Sequence, residues 1–192
     1  MRARALWTGC LVLVLALSGC AGDGPPDRGG RAGEGGDLAG LIARAGQLAP
    51  GAGWRPAGRS LPPLLRPDPG IQAVATLRAV AGGQPLGQVW LLRYARPAAA
   101  AAGAREVAEG LRAMAGGLPE TWRPGVGQDT AAAQLQLAAS SAGPRPTLAI
   151  AFRRCRDLAA IWLQEPVPGS RDQLTGYAGR LDAGLAAAGG CG

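Results

Sequence analysis

Small side chains dominate this chain and limit the core that it can build. Of its 192 residues, 40 are alanine and 32 are glycine, whereas phenylalanine, tyrosine and methionine together number five. Because alanine buries little apolar area, the core must be small and must rest mainly on leucine, valine and tryptophan. The length fits a single domain with short appendages.

Three polar residue types are missing, and their absence removes several kinds of chemistry. The chain has no lysine, histidine or asparagine, and its 20 arginines face 13 acidic residues, for a formal charge of +7. Without histidine there is no Ser-His-Asp or Cys-His site, and without lysine there is no Walker A loop or Schiff base. High arginine content also follows from codon bias in a GC-rich genome, so it does not by itself indicate nucleic acid. We expect no enzyme activity, no cofactor, no metal site and no nucleic-acid partner.

The N-terminus has the layout of a secretory signal. Arg2 and Arg4 precede an apolar run that is about a dozen residues long, shorter than the roughly 20 residues needed to cross a bilayer. The run ends in Leu17-Ser18-Gly19-Cys20, which resembles the lipobox of bacterial lipoproteins at all four positions. The resemblance implies that the signal peptide is cleaved before Cys20, that the Cys20 sulfur is diacylated, and that the new amino terminus is often acylated too, so palmitate is expected on this residue.

The segment after the lipobox has the composition of a tether. Residues 21–37 contain seven glycines, two prolines and no large apolar side chain, so they cannot offset the entropy lost on ordering. We therefore divide the chain into a signal peptide (1–19), the lipidated cysteine with a disordered tether (20–37), and one small extracytoplasmic α+β domain (38–192). Loss of the signal leaves 18 arginines against 13 acids, a net charge of +5.

Hydrophobic periodicity predicts the fold of the domain. Alternation with a period of two and apolar stripes with a period of 3.6 residues follow one another along the chain. They favour an antiparallel sheet of about five strands with two main helices packed on one face. The predicted strands are 71–81, 86–95, 131–139, 147–154 and 158–165, the main helices are 98–115 and 171–188, and a short helix spans 38–48.

A short repeat raises the question of internal duplication. Trp54-Arg55-Pro56 precedes the first group of strands, and Trp122-Arg123-Pro124 precedes the second group, 68 residues later. The two groups are each followed by a main helix, as two copies of one unit would be. The other interpretation is a coincidence in a chain rich in arginine and proline.

Two cysteines remain in the exported domain besides Cys20. Cys155 lies at the predicted turn before the last strand, and Cys191 lies just after the last helix. The strand runs roughly 30 Å away from the turn and the helix roughly 27 Å back, which brings the two cysteines together. A structural disulfide would close a loop of about 36 residues and contribute roughly 3 to 4 kcal/mol. The alternative is a redox thiol pair, although the chain lacks a Cys-x-x-Cys motif.

The densest basic cluster surrounds the first of these cysteines. Arg153, Arg154 and Arg156 flank Cys155 in the sequence, and such a turn can bind a phosphate or carboxylate of a lipid headgroup, a wall polymer or a partner protein. The alternative is a solvated hairpin tip that Asp157 partly neutralises.

Together these features predict a lipid-anchored, non-enzymatic domain at the extracytoplasmic face of a membrane. The membrane is the cytoplasmic membrane of a monoderm or the outer membrane of a diderm. We expect a binding or accessory module for an envelope protein or polymer. The alternative is a carrier of a lipid or other apolar ligand in a cavity between the helices and the sheet.

Overall fold

A computed structural model describes residues 32–116, 122–139 and 143–189, which form a six-stranded antiparallel sheet covered by helices on both faces. The strand order is β1-β2-β3-β6-β5-β4, so β3 and β6 form the centre and β1 and β4 the edges. In chain order the elements are α1 (Ala32–Arg44), β1 (Gly53–Pro56), β2 (Ile71–Ala81), β3 (Gln84–Tyr94), α2 (Pro97–Met114), β4 (Gln128–Ala139), β5 (Gly143–Arg154), β6 (Asp157–Gln164) and α3 (Ser170–Ala187).

The predicted α+β class with an antiparallel sheet is confirmed, and each predicted strand corresponds to one in the structure. The β2–β3 hairpin turns at Gly82 and Gly83, whose φ angles of 56° and 81° lie in the left-handed region that such a turn requires. The sixth strand, β1, lies outside the five strands that periodicity predicted. It is four residues long and ends at Pro56, and an edge strand tolerates a proline because its outer N–H groups have no partner.

The expectation that both main helices pack on one face is wrong. α2 packs on the face that carries Trp90 and Leu92 of β3, whereas α3 and α1 pack on the face that carries Val89 and Leu91. The physical reason is that the central strands are apolar on both faces, and all of β6 except its last residue is buried. A strand buried on both sides needs helices on both sides of the sheet.

Strand β5 presents larger side chains to one face of the sheet than to the other. In β5, Leu148, Ile150 and Phe152 point toward α3, while Ala149 and Ala151 point toward α2. Small residues on the sheet side of α2 match this shallow surface and let the helix approach closely. The buried residues of α2 are Ala100, Gly103, Ala104, Val107, Ala108 and Leu111.

The short repeat in the sequence has no matching repeat in the arrangement of the helices. The strand order is symmetric about the β3–β6 pair. If the two halves were copies of one unit, a two-fold axis normal to the sheet would relate them, and α2 and α3 would lie on the same face of the sheet. They lie on opposite faces. In addition, Trp54 lies within β1, whereas Trp122 lies outside the strands.

The C-terminal end of α1 is held by side chains from other elements. The last carbonyl groups of a helix have no partner within the helix and need one elsewhere. Here side-chain donors bond the carbonyl of Ile42 in the last turn and those of the two residues just after the helix, Ala45 and Gly46, which fixes the end of α1 against α3 and β1. The bonds run from Tyr177 Oη to Ile42 O at 2.9 Å, from Arg180 Nε to Ala45 O at 2.7 Å, and from Trp54 Nε1 to Gly46 O at 3.0 Å.

The N-terminal part of α1 departs from the predicted domain boundary. The helix begins at Ala32, inside the stretch that composition assigned to the tether. Leu38, the first residue of the predicted domain, is fully buried. Packing of the helix against the core is therefore seen from Leu38 onward, as the apolar pattern predicted.

The close approach of α2 to the sheet gives a first testable prediction. A Cβ atom at Gly103 would lie 2.4 Å from Tyr94 Oη, whereas at Gly179 of α3 the nearest atom, Val126 Cγ1, would be 3.9 Å away. We expect Gly103→Ala to destabilise the domain by about 1–3 kcal/mol through overpacking. The matched Gly179→Ala should stabilise it by about 0.5–1 kcal/mol, because alanine favours helix. Thermal unfolding followed by circular dichroism measures both, and shifts of equal sign would contradict the packing.

Candidate functional site

The predicted arginine cluster forms the tight turn between β5 and β6. Arg153 and Arg154 end β5, and Asp157 opens β6. Cys155 has a φ of 53°, a left-handed conformation that side chains other than glycine adopt at an energetic cost. Its N–H donates to Gln128 Oε1 at 3.2 Å. The turn is therefore held in one conformation by the start of the neighbouring strand β4.

Two of the three predicted arginines bind acidic side chains of the domain itself. Arg154 makes a bidentate ion pair with Asp182 of α3. Its Nε donates to Oδ1 at 2.6 Å, and its Nη2 donates to Oδ2. The hydrogen bond with Asp182 raises the pKa of Arg154 above its usual value. Arg153 Nε donates to Asp129 Oδ2 at 2.7 Å. These two guanidinium groups tie the turn to α3 and to β4.

Arg156 is placed differently from its two neighbours. It is partly exposed and makes no ion pair with any acidic side chain in the described part of the chain. Its backbone carbonyl accepts the N–H of Tyr94 at 2.9 Å, which places it beside the end of β3. Of the predicted cluster, Arg156 is thus the residue whose charge the fold leaves available to a ligand.

A buried ion pair beside the turn was not foreseen. Arg93 near the end of β3 is the cross-strand partner of Asp157, and its Nε donates to Asp157 Oδ1 at 2.8 Å. Asp157 is fully buried, so it needs the charge of Arg93 to be tolerated there. Asp37 of α1 lies 3.8 Å from the same guanidinium. In the sequence, this ion pair is indicated only by an arginine near the end of one apolar strand and an aspartate at the start of another.

These contacts define one end of the sheet. β3 ends there, β6 begins there, and Asp37 brings the N-terminal half of α1 to the same place. We call it the entry end, because the chain enters the domain there. The opposite end, which we call the far end, carries the β2–β3 turn and the first turn of α3.

The predicted disulfide involves one residue inside and one outside the described part of the chain. Cys155 lies in the β5–β6 turn, whereas Cys191 lies outside the described residues. The Arg154–Asp182 ion pair holds this turn against the second half of α3. α3 ends at Ala187, and the four residues from there to Cys191 can span up to about 14 Å. The geometry is compatible with the Cys155–Cys191 pairing, which stays a proposal.

Non-reducing peptide mapping of the exported protein tests this pairing directly, and we expect one peptide pair that joins Cys155 to Cys191. Loss of about 3 kcal/mol should lower the melting temperature of Cys191→Ser by roughly 8–15 °C. Cys155→Ser should lower it equally, and the double variant should add nothing further. Two free thiols, or additive effects of the two substitutions, would show that the bond does not form.

A groove of about 560 Å³ lies on one flank of α3, between this helix and the segment that links α1 to β1. Leu48, Ala49 and Pro50 give it an apolar wall, and Gln173 and Arg180 give it a polar wall on the helix side. The side chain of Arg180 is fixed there by its bond to the end of α1. The groove is open to solvent and combines both kinds of contact that a protein or polymer ligand needs.

A second groove of about 440 Å³ lies on the other flank of α3. Its rim includes Val167, which is 64% exposed and lies between two prolines. Arg171 lines the same groove, donates to Gln134 Oε1 at 3.0 Å, and has its guanidinium 5.9 Å from the centre of the Trp122 ring. Asp172 borders both grooves. Together they form one open surface around the first turns of α3, which we call the α3 groove surface.

Sequence reasoning did not identify the α3 groove surface. Its residues come from the α1–β1 link, β4, β5, the β6–α3 loop and α3, and no motif joins them in the sequence. The helix predicted at 171–188 is present as α3, and its apolar stripe is buried at Leu174, Tyr177, Ala178, Leu181 and Leu185. The exposed stripe carries ordinary polar residues, which have no distinguishing pattern of their own.

Comparisons with known proteins do not assign the chain to a family. No protein-family model matches the chain, and no curated protein matches it. Over residues 32–116, 122–139 and 143–189, no helix is long and apolar enough to cross a membrane. Within the same ranges, no three cysteine, aspartate or glutamate side chains are grouped to hold a metal ion.

Proposed function

We propose that this chain is a lipid-anchored extracytoplasmic domain of the bacterial cell envelope that binds a partner protein or polymer through the α3 groove surface. Anchoring rests on the lipobox Leu17-Ser18-Gly19-Cys20. Partner binding rests on one structural observation, the two open grooves that meet at the first turns of α3. The domain would act as a binding or accessory module without chemistry of its own.

The placement of the α3 groove surface supports this function. Asp37, near the start of the domain, lies at the entry end, whereas α3 begins at the far end after β6. β6 has eight residues, so at about 3.3 Å per residue it separates the two ends by roughly 26 Å. The surface is thus displaced from the point where a tether to Cys20 would attach. A partner could reach it without competing with the anchor.

Metabolic labelling with a palmitate analogue tests the anchoring. The wild-type precursor should take up label at Cys20, and Cys20→Ala should take up none, because the thioether bond to the lipid needs that sulfur. Cys10→Ala serves as the matched control and should label like wild type. Label that persists in Cys20→Ala, or no label in wild type, would refute the anchor.

Site-specific photo-crosslinking in cells tests the binding surface. A photoreactive residue at Gln173, which lines the first groove, should give a discrete crosslinked species. The same residue at Arg112, exposed on α2, should give none. Gly176→Leu should reduce the crosslink at Gln173 severalfold, because Gly176 lines the groove and a side chain there fills it. Equal crosslinking from both helices, or an unchanged yield in Gly176→Leu, would contradict the proposal.

A second candidate function is a carrier of a lipid or other apolar ligand between α2 and the sheet. Trp90 and Tyr94 lie on the same face of β3, and both have buried polar atoms with no hydrogen-bond partner within the described residues. Burial also raises the pKa of Tyr94 to about 12. An ester or carboxylate oxygen between α2 and β3 would satisfy such donors. A lipid that co-purifies with wild type but not with Tyr94→Phe would favour the carrier.

A further inference from the structure

Two exposed arginines lie side by side near the β1 edge of the sheet. Arg55 of β1 and Arg78 of β2 are cross-strand partners, so their side chains leave the same face of the sheet from Cβ atoms about 4.5–5.5 Å apart. That face is the one on which α2 packs, because the preceding residues Trp54 and Leu77 point to the opposite face. The register therefore fixes where both side chains start and to which side of the sheet they project.

No acidic side chain in the described part of the chain neutralises this pair. Strands β1, β2 and β3 contain three arginines and no aspartate or glutamate. The third of these arginines, Arg93, binds Asp157 at the entry end. Neither Arg55 nor Arg78 forms an ion pair within the described residues. The two guanidinium groups thus keep both of their positive charges.

The acids on the elements around this face lie in other contacts or face away. Three of them have partners, and these contacts join Asp68 to the N–H of Gly70, Glu106 to Arg66 and Glu165 to Arg145. Glu109 is exposed and is not among the residues that α2 buries against the sheet. α2 itself packs on β3, β4, β5 and β6. The described surroundings therefore supply no ion-pair partner for the two arginines.

This arrangement has a physical cost that a bound anion would remove. Like charges directly opposite each other on neighbouring strands repel and destabilise the pairing. An anion between the two guanidinium groups removes the repulsion and accepts charge-assisted hydrogen bonds from both. A planar carboxylate is satisfied by one guanidinium through two parallel bonds, whereas the oxygens of a tetrahedral phosphate point to different sides and can be shared by two guanidinium groups. The geometry therefore favours phosphate.

A third polar side chain continues the row across the sheet. Gln88 of β3 is the cross-strand partner of Arg78 and is partly exposed, one strand spacing of about 4.8 Å farther along. Its amide offers both a donor and an acceptor, so it can bind a hydroxyl beside the phosphate. Two cations followed by an amide match a ligand that combines phosphate with uncharged polar groups.

We propose that Arg55 and Arg78 bind the phosphate of a phosphodiester polymer of the cell envelope, with Gln88 in contact with the polymer beside it. The site lies on the face of the sheet opposite α3, so it is separate from the α3 groove surface and goes beyond the partner binding proposed there. Arg78 lies seven residues after Ile71, which begins β2 at the entry end, a distance of about 23 Å. The choice of a polymer over lipid headgroups rests on the proposed anchor, because the tether to Cys20 attaches at the entry end.

Calorimetric titration of the full mature protein in the uncharged detergent dodecyl maltoside tests the site. The probe is a synthetic decamer of glycerol phosphate, and decaglutamate carries comparable charge on carboxylates. Wild type should bind the glycerol phosphate decamer about tenfold more tightly than decaglutamate. Arg55→Gln and Arg78→Gln should each weaken binding of the decamer about tenfold, because each removes a charge-assisted contact. Arg112→Gln is the matched control, since Arg112 is exposed on α2 and carries the same charge, and it should bind like wild type.

Inorganic phosphate provides a second readout that does not need a polymer. Sodium phosphate should raise the melting temperature of wild type relative to sodium chloride of equal ionic strength, because an anion that binds the folded state stabilises it. The rise should be smaller in the double variant Arg55→Gln/Arg78→Gln. In sodium chloride this variant should melt no lower than wild type, because it lacks the repulsion between like charges, and this result also shows that it folds.

Each other outcome overturns a defined part of the inference. Equal weakening in Arg112→Gln, or an equal rise with phosphate in the double variant, would show attraction to net charge alone and overturn the site. Equal affinity for decaglutamate would overturn phosphate as the ligand. Dihexanoyl phosphatidylglycerol that displaces the decamer better than glycerophosphoglycerol, the same phosphodiester without acyl chains, would overturn the polymer as its source. Failed lipid labelling at Cys20 would refute the anchor, whereas the titrations would still report on the arginine pair.

Discussion

The burial of the central strands on both faces determines the rest of this architecture. β3 and β6 are apolar on both sides, so one layer of helices would leave half of their side chains in water. The chain supplies two layers of different character. On one side α1 and α3 cover large side chains such as Ile150 and Phe152. On the other side α2 approaches the sheet closely, with Gly103 against Tyr94 and small helix residues over Ala149 and Ala151 of β5. This close approach makes dispersion contacts that small side chains could not make at a larger separation.

A core of this composition depends on specific polar ties as well as on area. Arg154 and Asp182 join the β5–β6 turn to α3, and Arg93 and Asp157 join the two central strands. Such pairs contribute little net stability compared with apolar replacements, but the loss of one partner leaves a charge that is costly to bury. Their effect is to select one arrangement of turn, strand and helix among the many that alanine-rich surfaces would accept. We infer that these ion pairs provide the specificity that large interlocking side chains provide in other cores.

The sequence predicted elements well and their arrangement only in part. The strand predicted at 147–154 corresponds to β5, in which Leu148, Ile150 and Phe152 alternate with alanines. The same alternation also indicated helices on both faces of the sheet, which the prediction missed. The alanines that alternate with the large residues are buried too, so their face of the sheet also needs a helix to cover it. Of the predicted arginine cluster, Arg153 and Arg154 proved to be tied to acids, because Asp129 and Asp182 reach them only in the folded chain. The α3 groove surface depends on loop positions and had no sequence signal.

The contacts at the end of α1 also determine how a pulling force on the N-terminal segment would be transmitted through the domain. Any pull on the N-terminal segment enters the domain through α1 and is resisted by the apolar side chains Leu38 and Ile42 and by the bonds that Tyr177, Arg180 and Trp54 make to its final carbonyls. Two of these three donors belong to α3, so tension on the N-terminal segment passes directly to the helix that carries both grooves. The surface proposed for partner binding and the point of attachment are thus ends of one load path. Traction between a membrane and a bound partner would be borne by the contacts of α1 with α3 and with the sheet, through Trp54 of β1 and Arg93 of β3, while α2 lies on the opposite face.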